Sequence, residues 1–181
     1  NEKPKSRVTE SFRNIKSNIE FMLPKNKLGK TILFTSSISG EGKTICSKNI
    51  ATVYAISGKK TIIVGADMRK PKMYLTFTEN NDSGLSTYLS GVSSKEEIIF
   101  NSNIENLDYI KSGPIPPNPA ELLARDEMKD LIKDLQEKYD YVIIDSPPIF
   151  IVSDSMPLME LVDLNIYIFR QNFTKRELLN F

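Results

Sequence analysis

Apolar residues recur along this chain in two rhythms, and their alternation predicts its architecture. Val8, Phe12, Ile15, Ile19 and Met22/Leu23 return at helical spacing, with Glu10, Arg13 and Lys16 along the polar flank. Thr9 reads as the N-cap of this helix and Pro24 as its stop; residues 1–7, charged and proline-containing, read as a tether. Five short apolar runs then predict buried strands: Thr31–Thr35, Thr61–Ala66, Leu107–Lys111, Tyr141–Asp145 and Leu164–Arg170. Helical patterns separate them. One runs from Lys43 to Ser57, closed by Gly58; shorter ones cover Gly84–Gly91 and Ser94–Phe100. A long amphipathic helix is expected from Pro119 to about Lys138, another over residues 154–162, and a last one starting at Thr174. Strands alternating with helices predict an α/β fold: a three-layer sandwich with a mostly parallel central sheet flanked by helices.

Composition narrows the function classes. At 181 residues the chain fits one domain, 1–181, in which residues 1–28 form an N-terminal tether and helix. Lys+Arg number 24 against 23 Asp+Glu, so nothing suggests a nucleic-acid partner, although the first thirty residues are locally basic. The absence of histidine excludes Ser-His-Asp triads, histidine acid–base chemistry and histidine zinc sites. Cys46 is the only cysteine, so no internal disulfide is possible. No apolar run approaches the roughly 20 residues needed to span a bilayer. The chain begins at Asn1 and stops within an expected helix, which reads as a piece of a longer protein.

The chemistry concentrates at the ends of three strands, where open α/β sheets place their ligands. After the first run comes Ser36-Ser-Ile-Ser-Gly-Glu-Gly-Lys-Thr44, directly before a helix. Glycines let successive backbone N–H groups turn toward an anion, and the helix adds its positive end. Lys43 is placed to reach β- and γ-phosphates and Thr44 to ligate Mg²⁺, although Ser37 stands where the full phosphate-loop pattern has its first glycine. Asp145 ends its apolar run as a carboxylate presented to Mg²⁺, directly or through water. Asp67, after the second run, is a candidate for orienting a nucleophile near the γ-phosphate. Arg69 and Lys70 beside it are candidates for phosphate charge or a neighbouring subunit.

Together these segments resemble the cytoplasmic catalytic domain of bacterial tyrosine kinases (BY-kinases) of capsule and exopolysaccharide synthesis. Ser36–Thr44 resembles that family's Walker A, Ala66-Asp-Met-Arg-Lys-Pro71 its Walker A′, and Val142-Ile-Ile-Asp-Ser-Pro-Pro148 its Walker B. Gly84-Leu-Ser…Gly91, Gly113-Pro-Ile-Pro-Pro-Asn-Pro-Ala-Glu-Leu-Leu123 and Phe169-Arg-Gln-Asn-Phe-Thr174 are similar to its connecting segments. The resemblance implies a P-loop NTPase-type domain that uses ATP and Mg²⁺ to phosphorylate protein tyrosines. Lys43, Asp67 and Asp145 would be catalytic; Thr44, Asp67 and Asp145 would hold the metal. Ser39, Gly40, Glu41, Gly42, Lys43, Thr44, Cys46 and Arg170 would bind ATP or ADP. Glu10, Arg13 and Lys16 are similar to the E-x-x-R-x-x-R row through which the family assembles rings, with Lys in the last place. The resemblance further implies a membrane-embedded polysaccharide co-polymerase region, fused or separate, and a place on the cytoplasmic face of the bacterial plasma membrane. It also implies autophosphorylation in trans of C-terminal tyrosines, but no such cluster is present here.

Gly65 occupies the position where the family's Walker A′ carries its first Asp, which implies a weakened, altered or engineered active site. Two rival readings follow. A partitioning-type ATPase switch of the deviant-Walker class would need an extra lysine where Ile38 stands. A nucleotide-binding assembly module with weak catalysis is kept open by Gly65.

Overall fold

The computed structural model describes residues 7–71, 82–150 and 155–179. Its sheet has six strands: β1 (Lys30–Ser36), β2 (Thr61–Gly65), β3 (Ile99–Asn101), β4 (Leu107–Ile110), β5 (Tyr141–Asp145) and β6 (Leu164–Ile168). They lie in the order β3-β4-β2-β5-β1-β6. Every pairing is parallel except that of β3 with β4. The central strands read as continuous apolar runs because both faces are covered. Alternate residues serve opposite cores: Ile32 and Phe34 pack on one side of β1, Leu33 on the other.

The helices are α1 (Arg7–Met22), α2 (Lys43–Ile56), α3 (Leu85–Leu89), α4 (Lys95–Ile98), α5 (Pro119–Leu123), α6 (Asp126–Lys138) and α7 (Met156–Met159). One core gathers Ile19 and Leu23 at the end of α1 with Ile50, Ala51 and Tyr54 of α2, over Ile32, Phe34, Ile63 and Ile143. The opposite core joins α3, α5 and α6, through Leu89, Leu122, Leu131 and Leu135, to Leu33, Val64 and Ile144. Ala51 and Ala55 are fully covered, which lets α2 lie close to the sheet.

Several expectations need correction. The described part of α1 begins at Arg7, so Thr9 lies inside its first turn rather than capping it. Its apolar stripe is only half committed to the domain: Ile19 and Leu23 are buried, Val8, Ile15 and Met22 exposed. The expected long helix is broken at Ala124-Arg125. Arg125 takes an extended conformation there and its guanidinium donates to the Leu89 carbonyl at 2.9 Å, a tertiary contact that the apolar period does not encode. The helix expected over Ser94–Phe100 stops at Ile98, and Ile99–Asn101 becomes the antiparallel edge strand. After Thr174 there is a short 3₁₀ turn, Arg176–Leu179, instead of an α-helix. The tyrosines serve packing. Tyr54, Tyr109 and Tyr141 are buried, with Tyr54 and Tyr141 stacked at 3.7 Å; Tyr88, Tyr139 and Tyr167 are half-buried; Tyr74 lies outside the described residues.

Candidate active site

Gly40 and Gly42 carry the turn between β1 and α2, at φ 96° and 98°. A Cβ on Gly42 would meet nothing within 4 Å, so its role is the left-handed backbone itself, not close approach. Gly42 is also the N-cap of α2 and offers no side chain to the first-turn N–H groups. Those donors, at the positive end of a fourteen-residue helix, are left for an anion.

Lys43 is nearly fully buried beneath this turn. Its Nζ stands 3.5 Å from Asp145 Oδ1 and 3.7 Å from Asp67 Oδ2. The Thr44 hydroxyl donates to Asp145 Oδ2 at 2.7 Å. Burial pushes the Asp145 carboxyl above the usual range, assisted by nearby Asp67 and opposed by Lys43 and Thr44. At 3.5 Å Lys43 supplies charge but no well-formed hydrogen bond, and Asp145 Oδ1 is a buried oxygen without a hydrogen-bond partner. Asp67 is steadied by the Lys70 N–H, which donates to Oδ1 at 3.1 Å and leaves Oδ2 facing Lys43.

A cavity of about 150 Å³ opens over these groups, lined among others by Ser39, Gly40, Gly42, Lys43, Thr44 and Asp67. Three expected nucleotide-binding residues stand apart from it. Glu41 turns inward, accepting from the Ile38 N–H at 2.9 Å and from the Thr174 hydroxyl. Cys46 is half-buried against the α2 core, its thiol pushed up by burial and then by Asp145. Arg170 is exposed, 3.5 Å from the Gly40 carbonyl and stacked over the Phe173 ring.

Phe173 and Thr174, which the sequence marks only as part of a connecting segment and as a helix start, border the turn. A Cβ on Gly40 would lie 3.3 Å from Phe173 Cζ, so the segment after β6 walls the turn from outside. The signal available was the segment Phe169–Thr174 itself, whose spacing says nothing of where it lands. Ile38, half-buried, lines the cavity where the deviant-Walker class would need a lysine.

The donor set fits Mg²⁺ held with phosphate. Among the described residues no three carboxylates or thiols cluster to hold a metal alone. One buried carboxylate with an unsatisfied oxygen, a hydroxyl beside it and a second carboxylate close by match an ion that keeps waters and substrate oxygens.

Comparison with known proteins agrees with this geometry. The family model described as "AAA domain" matches residues 29–166. The tyrosine-protein kinase YwqD of Bacillus subtilis is 40% identical over 174 residues, covering 96% of this chain and 73% of that protein. The putative tyrosine-protein kinase CapB of Staphylococcus aureus is 41% identical, over 89% of this chain and 70% of its own. Among solved structures, the kinase domain of the Escherichia coli tyrosine kinase ETK superposes with a TM-score of 0.89 at 30% identity, covering 94% of this chain and 67% of that one. With a P-loop sheet, a lysine between two carboxylates and this degree of identity, the chain belongs to the bacterial tyrosine-protein kinases, which phosphorylate protein tyrosines with ATP.

Proposed function

We propose that this domain binds ATP with Mg²⁺ on the Gly40–Thr44 turn and phosphorylates tyrosines in the control of exopolysaccharide or capsule synthesis, at the cytoplasmic face of the plasma membrane. The observation that carries this reading is Lys43 held between Asp67 and Asp145 beneath a turn that leads into a helix start no side chain caps. Mg²⁺, when bound, would supply positive charge to offset that of the phosphates. Thr44 and Asp145 are the residues to hold it, with Asp67 alongside. Lys43 would exchange its carboxylate partners for phosphate oxygens. Asp67, nearer the solvent, would orient an incoming tyrosine hydroxyl near the γ-phosphate and accept its proton. Ser39, Gly40 and Gly42 would contribute backbone donors. Glu41 acts on the nucleotide only by shaping the loop, and Arg170 by holding Phe173 against it. The acceptor tyrosine comes from another segment or molecule, because the described tyrosines are packed into the fold. Single-turnover transfer from labelled ATP to a tyrosine peptide tests the reading; ATP turnover without phosphotyrosine would favour the assembly-module alternative.

Proton and metal would compete for the orphaned Asp145 oxygen. Its raised pKa means that Mg²⁺-nucleotide affinity should begin to fall with acidity above the ordinary carboxylate range, pH ~4. Calorimetry over a pH series should register this, and Asp145→Asn should flatten it. A decline confined to the ordinary carboxylate range would contradict the metal assignment.

Assembly into a ring would use the outer face of α1. Glu10 and Arg13 are exposed and paired at 3.1 Å, available to a neighbour. Lys16 is not: its Nζ lies 3.2 Å from Glu20 and over the Tyr54 ring, inside its own chain. Two exposed groups of the row give a weak, screened contact. Sedimentation should therefore detect association that rises with concentration, falls with salt and disappears in Arg13→Ala. A salt-independent monomer at high concentration would count against the ring. The membrane-embedded co-polymerase region, fused or separate, would raise the local concentration that such a contact needs.

A further inference from the structure

We infer that the loop joining α1 to β1 docks this chain directly on a bilayer bearing anionic headgroups. The loop lies at the end of the sheet opposite the phosphate-binding turn: β1 leaves it at Lys30 and runs toward Gly40. Two large apolar side chains stand on this end without cover. Phe21, in the last turn of α1, and Leu28 are each 90% exposed. A lone exposed leucine is ordinary. Here, however, the backbone on both sides is tied down. Leu23 is buried and its N–H donates to the Ile19 carbonyl at 3.1 Å. Lys27 Nζ is 2.8 Å from Asp163. Gly29 lies so close to α6 that a Cβ would fall 1.9 Å from the Gln136 carbonyl oxygen. The Lys30 N–H donates to the Asp140 carbonyl at 3.0 Å. Leu28 is therefore held outward by its neighbours' anchors.

The charge around these tips is predominantly positive. Lys25, Lys27, Lys30, Lys59 and Lys60 lie in or beside the loop against Asp140 and Asp163, five cations to two acids and so an excess of three, while Glu20 beside Phe21 is paired with Lys16. Leu28, Lys30, Lys59 and Asp140 share an open recess of about 180 Å³. Apolar tips ringed by ammonium groups are complementary to one kind of surface, an interface that takes side chains at the acyl boundary and cations at the phosphates. A second copy of this chain would present the same lysines and repel them. The inference adds to the proposed membrane placement, which requires no lipid contact by this domain, and its test does not depend on phosphotransfer.

The chain contains no tryptophan, so Leu28→Trp introduces a single reporter. With vesicles of phosphatidylcholine containing phosphatidylglycerol at low salt, its emission should shift to the blue and the protein should co-sediment. Phosphatidylcholine alone should do neither, and added salt should reverse both. Phe21→Ser/Leu28→Ser should weaken binding at least tenfold. Lys25→Gln and Lys59→Gln should each weaken it about fivefold. Phosphotransfer in vesicle-free buffer should be unchanged in all these variants, which separates failure here from failure of the kinase reading. The inference is overturned by absence of binding to the anionic vesicles, by equal binding to both vesicle types, or by blue-shifted emission without vesicles together with self-association.

Discussion

Replacing Lys43 with methionine should weaken Mg²⁺-nucleotide binding at least tenfold, about 1.4 kcal/mol, and abolish phosphotransfer. Two effects combine. The substitution removes the cation beneath the Gly40–Thr44 turn, and with it the charge-assisted contact to phosphate. It also leaves Asp145 and Asp67 facing each other without their shared partner. Asp145 is already raised by burial, with Lys43 the largest opposing influence. Without Lys43 its carboxyl would hold a proton at still higher pH, and the protonated acid is no ligand for Mg²⁺. Breaking a buried pair usually destabilises strongly, but here protonation relieves most of the uncompensated charge. The folded chain should therefore survive the substitution while its nucleotide affinity does not. Calorimetry with ADP and Mg²⁺ on a variant of native circular dichroism checks this, and unchanged affinity would remove Lys43 from the site.

The second large effect is expected at Gly65. This residue pairs with Asp145 across β2 and β5, so a side chain there would rise on the same face of the sheet as the Asp145 carboxylate. Gly65→Asp would put a second carboxylate near Asp67 and the metal, and a general base typically contributes roughly 10²–10⁴-fold in rate. The space is not free. A Cβ would stand 2.9 Å from Ser112 Oγ, 3.2 Å from its backbone nitrogen and 3.3 Å from the Ile110 carbonyl oxygen. The hydroxyl can rotate away, but the backbone contacts are tight, and overpacking of this kind costs about 1–3 kcal/mol. Gly65→Asp should thus lower thermal stability yet accelerate transfer to a tyrosine substrate at least tenfold. Adding Ser112→Ala should recover part of the stability and leave the rate gain in place. Equal single-turnover rates for the parent chain and the Gly65→Asp variant would mean that the glycine serves only to admit Ser112, and that Asp67 suffices.

What could be read beforehand was local. The strands announce themselves because each is buried on both faces, and the phosphate turn because its glycines, lysine and threonine are contiguous. Asp145 was legible as the polar end of an apolar run, and the structure puts it within reach of Lys43 and Thr44. What escaped depended on partners distant in sequence. Arg125 breaks a helix because Leu89 lies opposite it. Ile99–Asn101 extends because Leu107–Ile110 offers an open edge. Lys16 belongs to a motif by spacing but is drawn away by Glu20 and Tyr54. Glu41 sits among phosphate-loop residues, yet its carboxylate answers to Thr174. In each case the residue type was compatible with both outcomes, and only packing decided.

The Glu41 contact has a consequence for timing. Because Glu41 holds the Ile38 N–H on one side and the Thr174 hydroxyl on the other, the turn's shape is fixed when the chain folds, so nucleotide entry need not order it. Opening the turn to let product leave would require release of that hydroxyl, which lies beyond the last strand of the sheet. The segment following β6 would then work as a latch on the dwell time of the nucleotide, and amide exchange at Ile38 would be its clock.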